Sequence, residues 1–291
     1  MVYFLDEVAS RIGDRLAHIF FIKTIENPYK LITSPEHNTA EDQRRLSDLF
    51  ASLQESERLG QPLFAQIHLM GTHGPQFYPT IQTFSSGIPQ DAAWMPEYYD
   101  DSILEADTQV KKIVEYLQQH GQYDNTIIVI FSDHGQQWTV EQHLPLLIHF
   151  PDDQFAGSIS VSSQNMDIAP TLLDFLGLPR PNWTTGTSLL GEIDPLRVIL
   201  AGDTNLVQEA DGKFGIPPGS VRLPFYKFTS LYAIQCQKYA IIDLVDMSLT
   251  DKEFLAYKSP CTEDVLDQPA VLKQKAGLEL QQYGYSLPLG W

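Results

Sequence analysis

The stretch NTIIVIFSDHG, residues 125–135, constrains the fold more than any other part of this chain. Ile127, Ile128, Val129 and Ile130 are all β-branched and Phe131 is aromatic, so the segment reads as a strand apolar on both faces, the pattern of a parallel sheet covered on both sides. It ends at once in Ser132, Asp133, His134 and Gly135. A carboxylate and an imidazole are costly to bury unless something pairs with them. Gly135, with no Cβ, suits backbone that turns sharply away from a strand. The segment PLFAQIHLM, residues 62–70, has the same character and leads into GTHGP, delivering His68 and His73 near a second strand end.

Apolar periodicity places the remaining elements. Val8, Ile12, Leu16, Ile19 and Phe20 predict an amphipathic helix over 6–23. Leu46, Leu49, Phe50 and Leu53 predict another, with Thr39 and Asp42 resembling a capping box at its start. A long polar loop runs to about residue 95. Ile103, Val110, Ile113, Val114 and Leu117 predict a helix over 96–119 that stops at Gly121. LPLLIHF (144–150) predicts a strand, residues 167–176 a helix ended by Gly177, and RVILAG a further strand. Strands alternating with helices predict an α/β core over residues 1–200, a mostly parallel sheet with helices on both faces. RLPFYKFTS, LYAIQ and KYAIIDL are short and aromatic. They predict a small antiparallel sheet within residues 201–291, followed by a helix around 268–283.

Charge narrows the function classes. Nineteen basic residues against 37 acidic ones give a net charge of -18, which argues against a nucleic-acid partner, since phosphate backbones require a basic footprint. An anionic substrate would need local positive charge, and a metal ion is one way to supply it. No run reaches the roughly 18 apolar residues of a membrane-spanning helix; IFFIKTI is short and broken by Lys23. The residues after Met1 lack the basic start and apolar centre of a secretory signal. Cys236 and Cys261 are the only cysteines: one bridge or two free thiols, but no CxxC motif.

Ligands of open parallel sheets bind beyond the carboxyl ends of the strands, where Asp133, His134, His68 and His73 are expected. A divalent cation would accept an Asp133 oxygen and a His134 nitrogen. His68 and His73 would hold a second ion, or contact the oxygens of a bound anion and protonate a leaving group. Plainer readings stand beside these. An Asp-His pair after a strand also caps turns, and His68 alone suits a hydrogen-bonded core position. His143 precedes its strand and is a candidate for the same crevice, whereas His149, within the strand, reads as structural. Asp100 and Asp101 open a helix, where carboxylates favour the positive dipole end. Cys261 has no basic neighbour or histidine to activate it as a nucleophile.

These residues resemble the sulfatase family of the alkaline phosphatase superfamily. YDNTIIVIFSDHG is similar to that family's strand and metal-ligand turn. HLMGTHGPQFYP is similar to its substrate-histidine segment, with a His-Gly-Pro form close to phosphoethanolamine transferases. MDIAPTLLDFLGLPRPNWTTGTSLLG and KYAIIDLVDMSLTDKEFL resemble two later family segments in the family's order. The resemblance covers about residues 60–260. It implies an alkaline phosphatase-like fold and hydrolysis or transfer of a sulfate or phosphate ester, with calcium, zinc or manganese held by Asp133 and His134. It also implies substrate contacts by His73 and His68, with His143 substituting for a residue usually found after the DHG turn. The partner implied is a small anionic ester, the transferase alternative being of phosphoethanolamine type. The family's CxPxR or SxPxR nucleophile motif does not occur in these 291 residues. The chain is therefore expected to be the C-terminal part of a sulfatase-like protein, with a membrane-anchored, extracytoplasmic parent among the origins the resemblance allows. A non-catalytic binding or scaffold protein of the same fold is the alternative.

Overall fold

The computed structural model describes residues 38–138, 142–203, 207–208, 214–215, 229–244, 246–250, 253–254, 261, 266–282, 284, 286–287 and 290–291. The helix expected over 6–23 and most of RLPFYKFTS lie outside them. The chain divides into two compact units, residues 1–116 and 117–291.

Among the described residues, the first unit holds the helix α1 (Asn38–Leu59) and all but the last turn of α2 (Pro96–Gln119). The second runs over the residues that its apolar spacing marks. The strand expected at 62–70 is absent: residues 61–70 carry no ladder, and Leu63 and Phe64 are exposed. A strand exists only through hydrogen bonds to a neighbour, which no apolar run can supply by itself. The loop from His73 to Met95 is fastened to the start of α2. Phe77, 1% exposed, meets Trp94 edge-on at 6.1 Å and Tyr99 at 5.3 Å. The Gln90 side chain completes this anchor: its Oε1 accepts from Phe77 N–H at 2.8 Å and its Nε2 donates to Phe77 O at 2.7 Å. Buried Asp101 accepts from the backbone N–H groups of Thr83, Phe84 and Ser85 and from the Ser85 hydroxyl. Its role is to gather a loop rather than to cap the helix.

In the second unit, β1 (Ile128–Phe131) and β2 (Leu146–His149) pair with each other, Ile128 opposite His149 and Phe131 opposite Leu146. They are antiparallel, and every strand pair among the described residues is antiparallel. The mostly parallel sheet expected from the alternating pattern is not seen in them. A parallel pair requires a crossover, usually a helix, and the described part of the β1–β2 connection contains only one 3-10 turn, Gln136–Trp138. Phe131 and Leu147 are exposed, because a two-stranded ladder leaves apolar surface that a larger sheet would cover. The predicted helix after Asp167 is α3 (Ile168–Phe175).

RVILAG, expected to belong to the core, is β3 (Val198–Asp203), and it joins β6 (Ser230–Gln235), β7 (Lys238–Asp243) and β8 (Glu253–Phe254) in the order β3-β6-β7-β8. The two-residue strands β4 (Val207–Gln208) and β5 (Phe214–Gly215) pair separately. On one face of the four-stranded sheet, Leu231, Ala233, Ala240 and Ile242 pack with Leu272, Ala276 and Leu280 of α4 (Pro269–Gln282). Tyr232, Ile234 and Tyr239 gather on the other face. The alternation along β6 and β7 sorts these two sets because successive side chains point to opposite faces. Gly277 lies inside α4 because Trp291 packs against it; a Cβ there would stand 2.2 Å from the indole nitrogen. Cys236, in the β6–β7 turn, is bridged to Cys261.

Candidate active site

His68 and His73 belong to the first unit; Asp133, His134 and His143 belong to the second. Each group is built by its own local scaffold.

The first is a turn. His73 N–H donates to Met70 O at 3.0 Å, reversing the chain across Gly71 and Thr72. Asp42, 1% exposed on α1, accepts from Met70 N–H at 2.9 Å and from Gly71 N–H at 2.7 Å. Arg45 Nη1 donates to Asp42 Oδ1 at 2.9 Å and to His68 O at 2.8 Å. Burial pushes the Asp42 carboxyl above its ordinary pKa, against the backbone N–H groups of Met70 and Gly71 and the charge and hydrogen bond of Arg45, which pull it down. Asp42 is not reaching back to the helix start as a capping box would require. Its carboxylate is spent on residues 28 and 29 positions away.

The His73 ring is held by its own neighbour, Nδ1 lying 2.9 Å from Gly74 O. A carbonyl oxygen only accepts, so this contact puts a proton on Nδ1. Gly74 is required because Trp94 covers it; a Cβ there would lie 2.2 Å from the indole. His68 is exposed, and its backbone, not its ring, makes the contact to Arg45.

The second scaffold begins where β1 ends. Asp133 Oδ1 accepts from His134 N–H at 3.0 Å. His134 Nδ1 lies 2.9 Å from Gly135 O, and because a carbonyl only accepts, this contact puts a proton on Nδ1. The Asp133 carboxylate is 3.7 Å from His134 Nε2, and the two side chains are 56% and 36% exposed, within reach of a solvated ion. Ser132 Oγ donates to His134 O at 2.7 Å, and Asn165 Nδ2 donates to Ser132 O at 2.9 Å. His143 is exposed before β2. His149 stacks on Tyr123 at 4.1 Å, as suits a structural residue.

The MDIAPT segment beside Asn165 is anchored by Asp167, wholly buried. Its oxygens accept from Gln164 N–H, from Thr187 N–H and, bidentately, from Arg197 at 2.9 and 3.1 Å. Thr171 extends the network, donating to Asp167 O and accepting from Leu189 N–H at 2.9 Å.

Sequence reasoning did not find Arg45 or Asn165, and it assigned Asp42 and Asp101 to capping. Asn165 alone left a signal, standing directly before the MDIAPT motif.

Histidines that ligate metals usually donate their other ring N–H to a carboxylate or backbone carbonyl, and His73 and His134 both have that arrangement. Asp133 and His134 offer one oxygen and one nitrogen donor suited to a divalent cation. Among the described residues, no three acidic, histidine or cysteine side chains cluster into a fuller cation cage.

The sulfatase family model matches residues 13–178. The chain is similar to N-acetylglucosamine-6-O-sulfatase of Bacteroides thetaiotaomicron, 38% identical over 104 residues that cover 31% of this chain and 19% of that protein. It is similar to arylsulfatase K of Bos taurus, 32% identical over 105 residues, 32% of this chain and 19% of that protein. It is also similar to the multifunctional alkaline phosphatase superfamily protein PehA of Trinickia caryophylli, 33% identical over 106 residues, 32% of this chain and 21% of that protein. The matched part thus spans about a fifth of these curated relatives. Among solved structures, the phosphonate monoester hydrolase SpPMH of Silicibacter pomeroyi aligns with a TM-score of 0.44 at 19% identity, covering 64% of this chain and 39% of that one. With more than half of its residues matched by the family model, the chain belongs to the sulfatase family.

Proposed function

We propose that this chain carries part of the catalytic site of a metal-dependent hydrolase of anionic esters, sulfate esters first and phosphate esters second. The observation that carries the reading is the shared anchoring of His73 and His134, each with its ring Nδ1 2.9 Å from the carbonyl oxygen of the glycine that follows it. The relatives named for sulfate-ester cleavage favour sulfate, and an N-acetylglucosamine-6-O-sulfatase among them makes sulfated sugars the first class to try.

In this reading Asp133 and His134 hold a divalent cation, which supplies the positive charge that a chain at -18 lacks when it meets an anion. His73, with His68 beside it in sequence, contacts the ester's outer oxygens, and His143 adds a substrate contact. When protonated, the His73 ring donates from Nε2 to the leaving alcohol oxygen. The Gly74 carbonyl holds the Nδ1 proton throughout, so the ring returns to the tautomer that this contact favours.

A second reading, a non-catalytic binding protein of the same fold, rests on Asp133 and His134 being a pair rather than part of a cluster of three among the described residues. One experiment separates the two. The purified chain is titrated with calcium, zinc and manganese, and assayed with 4-nitrophenyl sulfate, 4-nitrophenyl phosphate and glucosamine 6-sulfate. Cation binding lost in His134→Ala, together with turnover, supports the hydrolase. Cation binding without turnover supports the binding protein, and loss of neither property in His134→Ala overturns the site.

A further inference from the structure

We propose that Asp42 and Arg45 on α1 are positioning residues that set the orientation of His73 by holding the Met70–Gly71 peptide. Its consequence for catalysis rests on the function proposed above; its geometric consequence does not.

Asp42 is the fifth residue of α1, past the first turn whose N–H groups need a cap. A carboxylate buried to 1% exposure there costs stability unless it is matched by donors. Met70 N–H, Gly71 N–H and Arg45 provide them. Met70 O and Gly71 N belong to one planar peptide group. The nitrogen end of that plane donates to Asp42 Oδ2 at 2.7 Å, and the oxygen end accepts from His73 N–H at 3.0 Å. Asp42 and His73 therefore grip opposite ends of a single rigid unit. Arg45 secures the start of the same turn through His68 O while neutralising Asp42. Gly71 belongs to the device, since a Cβ there would lie 3.3 Å from Asp42 Oδ2.

This differs from general support of the fold in what it moves. Asp42→Asn keeps an oxygen that can accept from both backbone N–H groups, but it sets an amide N–H₂ against Met70 N–H and Arg45 Nη1 and removes the charge that holds Arg45, so the grip on the peptide plane weakens. The His73 backbone follows, and with it the Nδ1 contact to Gly74 O.

The test compares the unaltered chain with Asp42→Asn and with Asp48→Asn, an exposed carboxylate on the same helix. Two readouts are used, the imidazole ¹⁵N resonances of His73 and His134 by NMR and the kinetics on 4-nitrophenyl sulfate. Asp42→Asn is expected to shift the His73 nitrogens toward a mixed tautomer while those of His134 stay in place. It is also expected to lower kcat roughly 10- to 100-fold with KM nearly constant, as expected for a misplaced catalytic group. Asp48→Asn should change neither. His73 resonances unchanged in a folded Asp42→Asn overturn the proposal. If Asp42→Asn does not fold, Arg45→Gln carries the same NMR readout, and unmoved His73 resonances in it are equally fatal. If the unaltered chain turns over no ester, the functional reading fails, and the NMR comparison by itself decides the positioning role.

Discussion

Asn165 donates its side-chain amide to Ser132 O at 2.9 Å across 33 positions, linking the segment that leads into α3 to the turn that carries Asp133 and His134. One hydrogen bond thereby connects a structural motif to a candidate ligand pair. Outer contacts of this kind commonly set metal affinity by 10- to 100-fold. Asn165→Ala is expected to weaken divalent-cation binding about 10-fold by isothermal titration and to leave the unfolding midpoint nearly unchanged. His134→Ala should abolish binding.

Asp167 and Arg197 form a buried bidentate pair, the carboxylate wholly inaccessible and the guanidinium side chain 12% exposed. Removing one partner leaves the other charge buried, which costs about 3–5 kcal/mol. Arg197→Met should lower the stability of the second unit by that amount in urea denaturation. A loss below about 1 kcal/mol would show that the pair is not the anchor of the MDIAPT segment.

Asp101 gives a pH signature. Burial alone would raise its pKa, but the Ser85 hydroxyl and the N–H groups of Phe84, Ser85 and Thr83 outweigh that and lower it from 3.8 to about 2. A depressed carboxylate contributes stability above its unfolded pKa and loses it as the folded form is protonated. Stability should fall as pH drops from about 3.8 toward 2, and the fall should be shallower in Asp101→Asn. That variant should already be weaker at pH 7 by about 3 kcal/mol, since buried donors lose a charged acceptor. Thermal melts across the acid range measure both.

The Cys236–Cys261 bridge spans 25 positions and fastens the β6–β7 turn to the stretch before α4. Closing a loop of that length removes unfolded-state entropy equivalent to about 3 kcal/mol. Reduction, or a Cys236→Ser/Cys261→Ser double variant, should lower the unfolding midpoint of the second unit without altering cation binding at Asp133. A coupled loss of both would contradict the independence of the two regions.

Much of the helical structure could be read directly. The i, i+3, i+4 spacing of Ile103, Val110, Ile113, Val114 and Leu117 marks α2, because a helix satisfies its backbone within its own segment. The short apolar and aromatic runs LYAIQ and KYAIID mark β6 and β7, because both faces of that sheet bury side chains. Asp133, His134 and His73 could be placed at chain reversals, since carboxylates and imidazoles beside glycine are poor core material.

Tertiary structure decided which strands pair, and in which direction, because a ladder is a relation between two segments and an apolar run encodes only burial. Thus Ile128–Phe131 faces Leu146–His149 antiparallel, RVILAG joins the later sheet, and residues 62–70 form no ladder. The roles of Asp42, Asp101 and Asn165 were likewise hidden, because each spends its side chain on a partner 16 to 33 positions away. Local pattern reveals which groups must find a partner; only the folded chain selects which partner each one finds.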